Sequence, residues 1–301
     1  MLSQIELLKK YDLKIRGHLG QHLLIDPNTI RKIVDSLDLQ PGDRVFEIGP
    51  GLGAVTREVL ERGFAVLAVE TDRKFVEVLT AELLPEHGDR FKLVHADVLK
   101  CDLTKLITGA EAFSDGKKGV LPSVKVIGNL PYYISTPILF QLIDHAAVFS
   151  KAVLMLQKEV ALRLTAKAGD EDYSRLSVTS RLCGEAEFLF DVSPSCFLPK
   201  PQVMSRVISF LFRPYPLEGR VKSLGFLLQV VRVAFAQRRK TLLSVLAKNL
   251  TPKVARENLE QALSKLGLSL NVRGEELSLE QFIVLTGMLE RGAGHGNIPQ
   301  A

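Results

Sequence analysis

The sequence predicts an α/β protein: a doubly wound sheet with an antiparallel hairpin at one edge, followed by a small all-α domain. Three observations lead there. From Arg44 to about Cys183, short apolar runs alternate with segments of helical periodicity. Those runs are apolar almost without interruption, as strands of a parallel sheet covered on both faces are. Beyond RPYP (213–216) the pattern becomes purely helical.

The elements follow in order. Asp26-Pro27 reads as a helix cap with proline at the first position, and Ile30, Ile33, Val34 and Leu37 repeat at helical spacing over 27–38. Pro41-Gly42 breaks that helix before the strand RVFEI (44–48), the turn GPGLG (49–53) and the helix TREVLERG, closed by Gly63. FAVLAV (64–69) is a second strand; Asp72 caps a helix through Leu84, which Pro85 ends. KLVHAD (92–97), VKVIG (124–128) and AVLML (152–156) are further strands, with helices over 135–147, 158–166 and 175–183. EFLFDV (187–192) and VMSRVISFLF (203–212) have no helix between them and form the edge hairpin. The stretch 107–122 reads as a mobile surface insertion and the tail 291–301 as flexible. The domains expected are 1–212, with an N-terminal arm 1–26, and the helical 217–290.

Composition narrows the function. The 301 residues are 46% hydrophobic, ample for two packed cores, and no stretch approaches the length of a membrane span. The first 16 residues lack the features of a secretory signal, so the cytoplasm is the expected compartment. Cys101, Cys183 and Cys196 are too scattered for a disulfide framework or zinc site, and His18 with His22 is a poor platform, so no metal is expected. Residues 213–291 hold 13 of the 39 basic but only 7 of the 34 acidic side chains. That excess reads either as a solvated helix face or as a surface for a polyanion such as RNA.

EIGPGLG (47–53) joins a strand to a helix, where glycines let the backbone approach a ligand closely. With Ala54 it fits a G-x-G-x-x-A fingerprint, and Glu70 ends the next strand, placed to accept both ribose hydroxyls of a nucleotide. Alone, this describes NAD or S-adenosylmethionine equally. Asp97 ends the third strand, either accepting from an adenine amino group or capping a turn. No His, Arg and Asp triad for hydride chemistry stands nearby, which favours the methyl donor.

After the fourth strand comes Asn129-Leu130-Pro131-Tyr132, on the side where doubly wound sheets bind ligands. An exocyclic adenine amine is a weak nucleophile because its lone pair is delocalised into the ring. The Asn129 side-chain carbonyl and the Leu130 backbone carbonyl can each accept one N6 hydrogen, with Pro131 fixing the turn and Tyr132 stacking on the base. A plain strand-terminating turn is the alternative.

GHLGQHLLID (17–26), EIGPGLGAVT (47–56), VETDR (69–73), HADVLK (95–100), GNLPYYIST (128–136), LQKEVALRL (156–164), YSRLSV (173–178), FLPKPQVMSRV (197–207), AFAQRRKTL (234–242) and RGEELSLEQF (273–282) together resemble the small-subunit ribosomal RNA adenine N6,N6-dimethyltransferase family (KsgA/RsmA) over nearly the whole chain. The resemblance implies a Rossmann-like class I methyltransferase sheet. It also implies transfer of methyl groups from S-adenosylmethionine, leaving S-adenosylhomocysteine, to two adjacent adenosines in a hairpin loop near the 3′ end of 16S rRNA, with a role in ribosome biogenesis. His22, Leu24, Gly49, Gly51, Glu70, Asp97 and Asn129 fall on donor-contacting positions, and Phe197 on a second aromatic facing Tyr132 across the base, ordinary core being its alternative. Arg232, Arg238, Arg239 and Lys240 suit phosphate contacts, or a solvated face. Lys158 and Glu159 match the family too, yet open a helix. The sequence departs in GQHLL, where the family has GQNFL. The small ribosomal subunit is the expected partner, with no obligate protein partner and a monomeric chain. Rival readings are a large-subunit rRNA adenine methyltransferase of the macrolide-resistance type, a non-catalytic RNA-binding assembly factor and an NAD oxidoreductase.

Overall fold

The computed structural model describes residues 2–15, 21–109, 123–213, 215–237 and 239–292. His18, the first part of GHLGQHLLID, most of the insertion 107–122, Arg238 and tail residues 293–301 lie outside the described residues.

Strands and helices run in the order α1 (Gln4–Lys10), β1 (Leu23–Leu24), α2 (Pro27–Ser36), β2 (Arg44–Ile48), α3 (Ala54–Glu61), β3 (Ala65–Glu70), α4 (Arg73–Glu82), α5 (Leu84–His87), β4 (Phe91–His95), α6 (Leu103–Gly109), β5 (Val124–Asn129), α7 (Ser135–Asp144), β6 (Lys151–Gln157), α8 (Lys158–Thr165), α9 (Arg175–Arg181), β7 (Gly184–Val192), β8 (Phe197–Leu198), β9 (Ser205–Phe212), α10 (Leu224–Ala234), α11 (Leu242–Asn249), α12 (Arg256–Lys265) and α13 (Leu279–Gly292). The described chain divides into two compact units, one within Met1–Ala161 and Glu185–Arg213, the other within Leu162–Gly184 and the residues after 213.

The first unit is built on a seven-stranded sheet of order β4-β3-β2-β5-β6-β9-β7. β2 to β6 pair in parallel and β9 runs antiparallel to β6, leaving β7 beside it at the edge as the hairpin reading expects. Strand order reverses at β2, whose last residue Ile48 lies opposite Val69 of β3 and Gly128 of β5. Such a reversal opens a crevice beyond the strand ends. Gly128 permits the close approach: a Cβ there would meet the Ile48 carbonyl oxygen at 3.2 Å.

The sequence reading is corrected in four places. Asp72 caps α4 by accepting from the Lys74 amide, but Pro85 begins the short α5 instead of ending α4, since proline is tolerated in a first turn. The ladder of β1 with β8, Leu23 opposite Leu198 and Leu24 opposite Phe197, is too short to show any periodicity. α1 was not anticipated; Ser3 and Glu6 form its capping box, and Leu7 buries into a cluster with Leu23, Leu52, Phe75 and Val78. Lastly, α9 packs with the helices after residue 213 and not on the sheet. Tyr173 draws it there: the buried ring meets Phe235 edge-on at 5.8 Å and its hydroxyl donates to the Leu277 carbonyl at 2.9 Å. Apolar faces of α10 to α13 complete that core. None of the described helices is long and apolar enough to cross a membrane.

Candidate active site

A cavity of about 320 Å³ opens at the strand-order reversal, within the range of about 300–1,000 Å³ typical of small-ligand sites. Its wall includes the loop after β2, the acid at the end of β3, Asp97 beyond β4, and Asn129, Pro131 and Tyr133 beyond β5. Gly49, Gly51 and Gly53 take φ of 65°, 59° and 79°, the left-handed region costly for side-chain-bearing residues. A Cβ on Gly51 would also lie 3.0 Å from Leu23 Cδ2. Backbone amides therefore line the loop where side chains would otherwise fill it.

Glu70, only 6% exposed, ties this loop to the next. One carboxylate oxygen accepts from the Gly51 amide at 3.1 Å, and the other from the amides of Thr71 and Asp72 at 2.8 and 2.9 Å. Burial raises its pKa and these amides oppose the rise. Three of the roughly four lone pairs of a carboxylate are thus engaged, leaving one toward a ligand hydroxyl, so the two-hydroxyl expectation requires Gly51 to share its acceptor. Asp97, its side chain 39% exposed, divides its oxygens: Oδ1 caps the next turn by accepting from the Leu99 amide at 3.1 Å, whereas Oδ2 lies 3.8 Å from Lys100 Nζ. Both readings of Asp97 are compatible with that division.

On the other side of the crevice, Leu130 continues the sheet ladder, its amide donating to the Met155 carbonyl at 3.1 Å, while its side chain is buried. The turn then closes through Ile134 N–H to Pro131 O at 3.1 Å and Ser135 Oγ to Tyr132 O at 3.1 Å. Asn129 donates its side-chain NH₂ to the His22 carbonyl at 2.9 Å. That bond orients the amide and leaves Oδ1 available as an acceptor at the cavity wall. His22 is gripped in turn: its Nδ1 donates to the Pro199 carbonyl at 2.7 Å, which in a neutral ring leaves Nε2 as the acceptor, and its ring stacks on Tyr132 at 5.7 Å and 29°. The histidine that replaces asparagine in GQHLL thereby joins three distant segments of the chain.

The amino-acid sequence of residues 12–290 matches the family model described as Ribosomal RNA adenine dimethylase. The chain belongs to the ribosomal RNA adenine dimethylase family. It is 40% identical over 284 residues to the Ribosomal RNA small subunit methyltransferase A of Halothermothrix orenii, covering 94% of this chain and 91% of that one. Identity is 39% over 286 residues to the protein of that name from a Geobacillus species, with 95% of each chain covered. Among solved structures, a dimethyladenosine transferase from Plasmodium falciparum superposes with TM-score 0.68 at 25% identity over 87% of this chain and 95% of that one. The 23S rRNA methyltransferase ErmE gives 0.63 at 26%, covering 89% and 99%. The adenine dimethylase is therefore an enzyme of class I methyltransferase architecture, a type that takes its methyl group from S-adenosylmethionine. The residues fit that donor, with a glycine cradle that a Cβ would obstruct, a buried acid beside it and an apolar lining.

The two aromatics of the sequence reading are placed differently from each other. Phe197 is 1% exposed and packs in the sheet core with Leu24 and Val192, because the β1–β8 ladder turns it inward; in this conformation its ring offers no face to a base. Tyr132 is half-buried, its hydroxyl bonded to Ser205 Oγ at 2.6 Å. Leu24 is buried at the cavity wall and its carbonyl accepts from the Gln4 side chain. Arg232, Arg239 and Lys240 are exposed at the end of α10 and in the turn after it. Lys158 and Glu159 open α8.

Sequence reasoning passed over two residues. Glu47, 3% exposed at the cavity wall, has its pKa pushed up to about 8 by burial against the pull of the Thr56 hydroxyl at 2.6 Å. An acid inside the apolar run RVFEI was the available signal. Tyr133 stands exposed on the cavity wall, and only its place beside Tyr132 hinted at it.

Proposed function

We propose that this dimethylase transfers methyl groups to N6 of two adjacent adenosines in a hairpin loop near the 3′ end of 16S rRNA, giving N6,N6-dimethyladenosine and S-adenosylhomocysteine, on a small ribosomal subunit during its biogenesis. The observation that carries the reading is the oriented Asn129 amide, whose Oδ1 is left as an acceptor in the same cavity as the glycine loop and Glu70. Bound S-adenosylmethionine supplies an electrophilic methyl carbon on a sulfonium.

The protein's part is to position and desolvate. Asn129 Oδ1 and the Leu130 carbonyl each draw one N6 hydrogen, localising the nitrogen lone pair and directing it along the line of displacement. Each transfer forms the N6–methyl bond as the sulfonium S–C bond breaks, and the displaced N6 proton passes to solvent; after the first, one N6 hydrogen remains, so one of the two acceptors suffices for the second. The glycine loop, Glu70, Asp97, His22 and Leu24 would hold the donor. Arg232, Arg238, Arg239 and Lys240 of the helical domain contact RNA phosphates; support comes from the basic excess after residue 212. The chain acts as a cytoplasmic monomer.

Unmethylated small subunits incubated with labelled donor test the reading, with the modified nucleosides identified by mass spectrometry. Dimethyladenosine at two neighbouring positions of 16S rRNA is expected. Label confined to 23S rRNA transfers the assignment to the large subunit, and donor binding without any transfer supports an assembly factor.

A further inference from the structure

Resting on the donor site of the proposed function, we infer that Gln4 is a further donor-contacting residue, carried into the cavity by α1 and held there by a clasp on Glu82. Gln4 is half-buried and lines the cavity together with Leu24, Gly51, Glu70 and Phe75. Its side-chain NH₂ donates to the Leu24 carbonyl, which orients the amide. A primary amide carries two N–H donors and a carbonyl acceptor, and that bond uses one donor. The second N–H and Oε1 are the groups through which Gln4 meets a ligand. The amino-acid end of S-adenosylmethionine offers each a complement, a carboxylate for the N–H and an ammonium for Oε1.

The contacts of α1 bring that side chain to the wall. Leu7, one turn on from Gln4, is buried in the cluster with Leu23 and Phe75, which themselves line the cavity. Arg57 Nη1 donates to the Leu2 carbonyl at 2.9 Å, just ahead of the helix. At its far end, Lys10 Nζ and the Tyr11 hydroxyl both donate to Glu82 Oε1, at 2.6 and 2.5 Å. Glu82 is the last residue of α4 and has no place in the cavity wall. The Lys10 side chain is 51% exposed, so its ion pair adds little; the Tyr11 hydroxyl on a carboxylate is the stronger bond. With seven residues, of which Leu7 alone is buried, α1 is too short to hold its own structure. It stays docked only through these side chains, as elements that open locally do. Glu82 is thus a positioning residue for Gln4, acting from the opposite end of the helix.

The test measures S-adenosylhomocysteine affinity by calorimetry, together with amide hydrogen exchange over residues 4–10 of the ligand-free protein and its melting temperature, in the parent, Gln4→Ala, Glu82→Ala and Glu82→Gln. One side-chain hydrogen bond corresponds to about two- to tenfold in affinity. Gln4→Ala should therefore raise the dissociation constant at least threefold. Glu82→Ala should speed exchange over residues 4–10 and weaken binding by a smaller factor, with the melting temperature unchanged, and Glu82→Gln, which keeps an acceptor for Tyr11, should restore most of both losses. A dissociation constant within twofold of the parent in Gln4→Ala, or one that rises only as far as exchange in α1 does, overturns the contact. Exchange over residues 4–10 left unchanged by Glu82→Ala overturns the clasp. Failure of the parent protein to bind S-adenosylhomocysteine strikes the proposed donor site instead, and is seen in the same experiment.

Discussion

The loops after β2 and β5 end neighbouring strands, yet they are held in place by opposite means. The first takes its shape from backbone conformation, three glycines with left-handed φ and a buried carboxylate clasping the Gly51 amide. The second takes its shape from side chains: Asn129 bonded to His22, Tyr132 to Ser205 and Ser135 to the Tyr132 carbonyl. A backbone cradle binds any ligand of the right contour, whereas a side-chain carbonyl discriminates by hydrogen bonding. Donor recognition and acceptor chemistry are thereby separable by mutation.

The sharpest division should come from Asn129→Ala. Removing one preorganised acceptor lowers kcat about a hundredfold or more, the scale seen when a single group stabilising a transition state is deleted, while donor affinity by calorimetry falls far less. Turnover equal to the parent's would refute the acceptor role. In the other direction, Gly51→Ala places a Cβ at a left-handed φ and 3.0 Å from Leu23. It should cost about 1–2 kcal/mol of stability and weaken donor binding roughly tenfold, read by thermal unfolding and calorimetry. Equal effects on kcat and donor affinity from both variants would show that the loops do not divide the work.

Glu47, in the strand that leads into the first loop, gives the smallest effect on turnover and shows itself in stability. Between its ordinary value near 4.5 and its folded value of about 8, the native state holds a proton that the unfolded chain has released. Stability associated with this group is accordingly full below 4.5, declines as pH rises, and is lost above 8. Glu47→Gln removes that decline. Denaturant unfolding should show the variant gaining on the parent from pH 5 to pH 8.5, by about 1.4 kcal/mol per pH unit at most and several kcal/mol in all. A difference independent of pH would place the Glu47 carboxyl in a more solvated setting.

The same contrast explains what was legible in the sequence. Glycines at strand ends and an acid closing β3 are local signals, so the cofactor loop and five parallel strands could be read directly. The surroundings of NLPYY could not, because they depend on residues distant in sequence. His22 meets Asn129 across 107 positions and Pro199 across 177, and Phe197 turns inward through a two-residue ladder. Helical periodicity in α9 likewise showed an apolar face without showing which core receives it; Tyr173 decides that by reaching Leu277, 104 residues on.

The short β1–β8 ladder has a consequence for a chain under synthesis. By residue 133 a nascent polypeptide carries both loops, but the carbonyl that anchors His22 belongs to Pro199, and Phe197 must arrive before Leu24 has a strand partner. Pairings of such sequence separation form slowly, because a long loop must close before any contact rewards it. Competence to methylate therefore comes late in translation, after two thirds of the polypeptide has emerged.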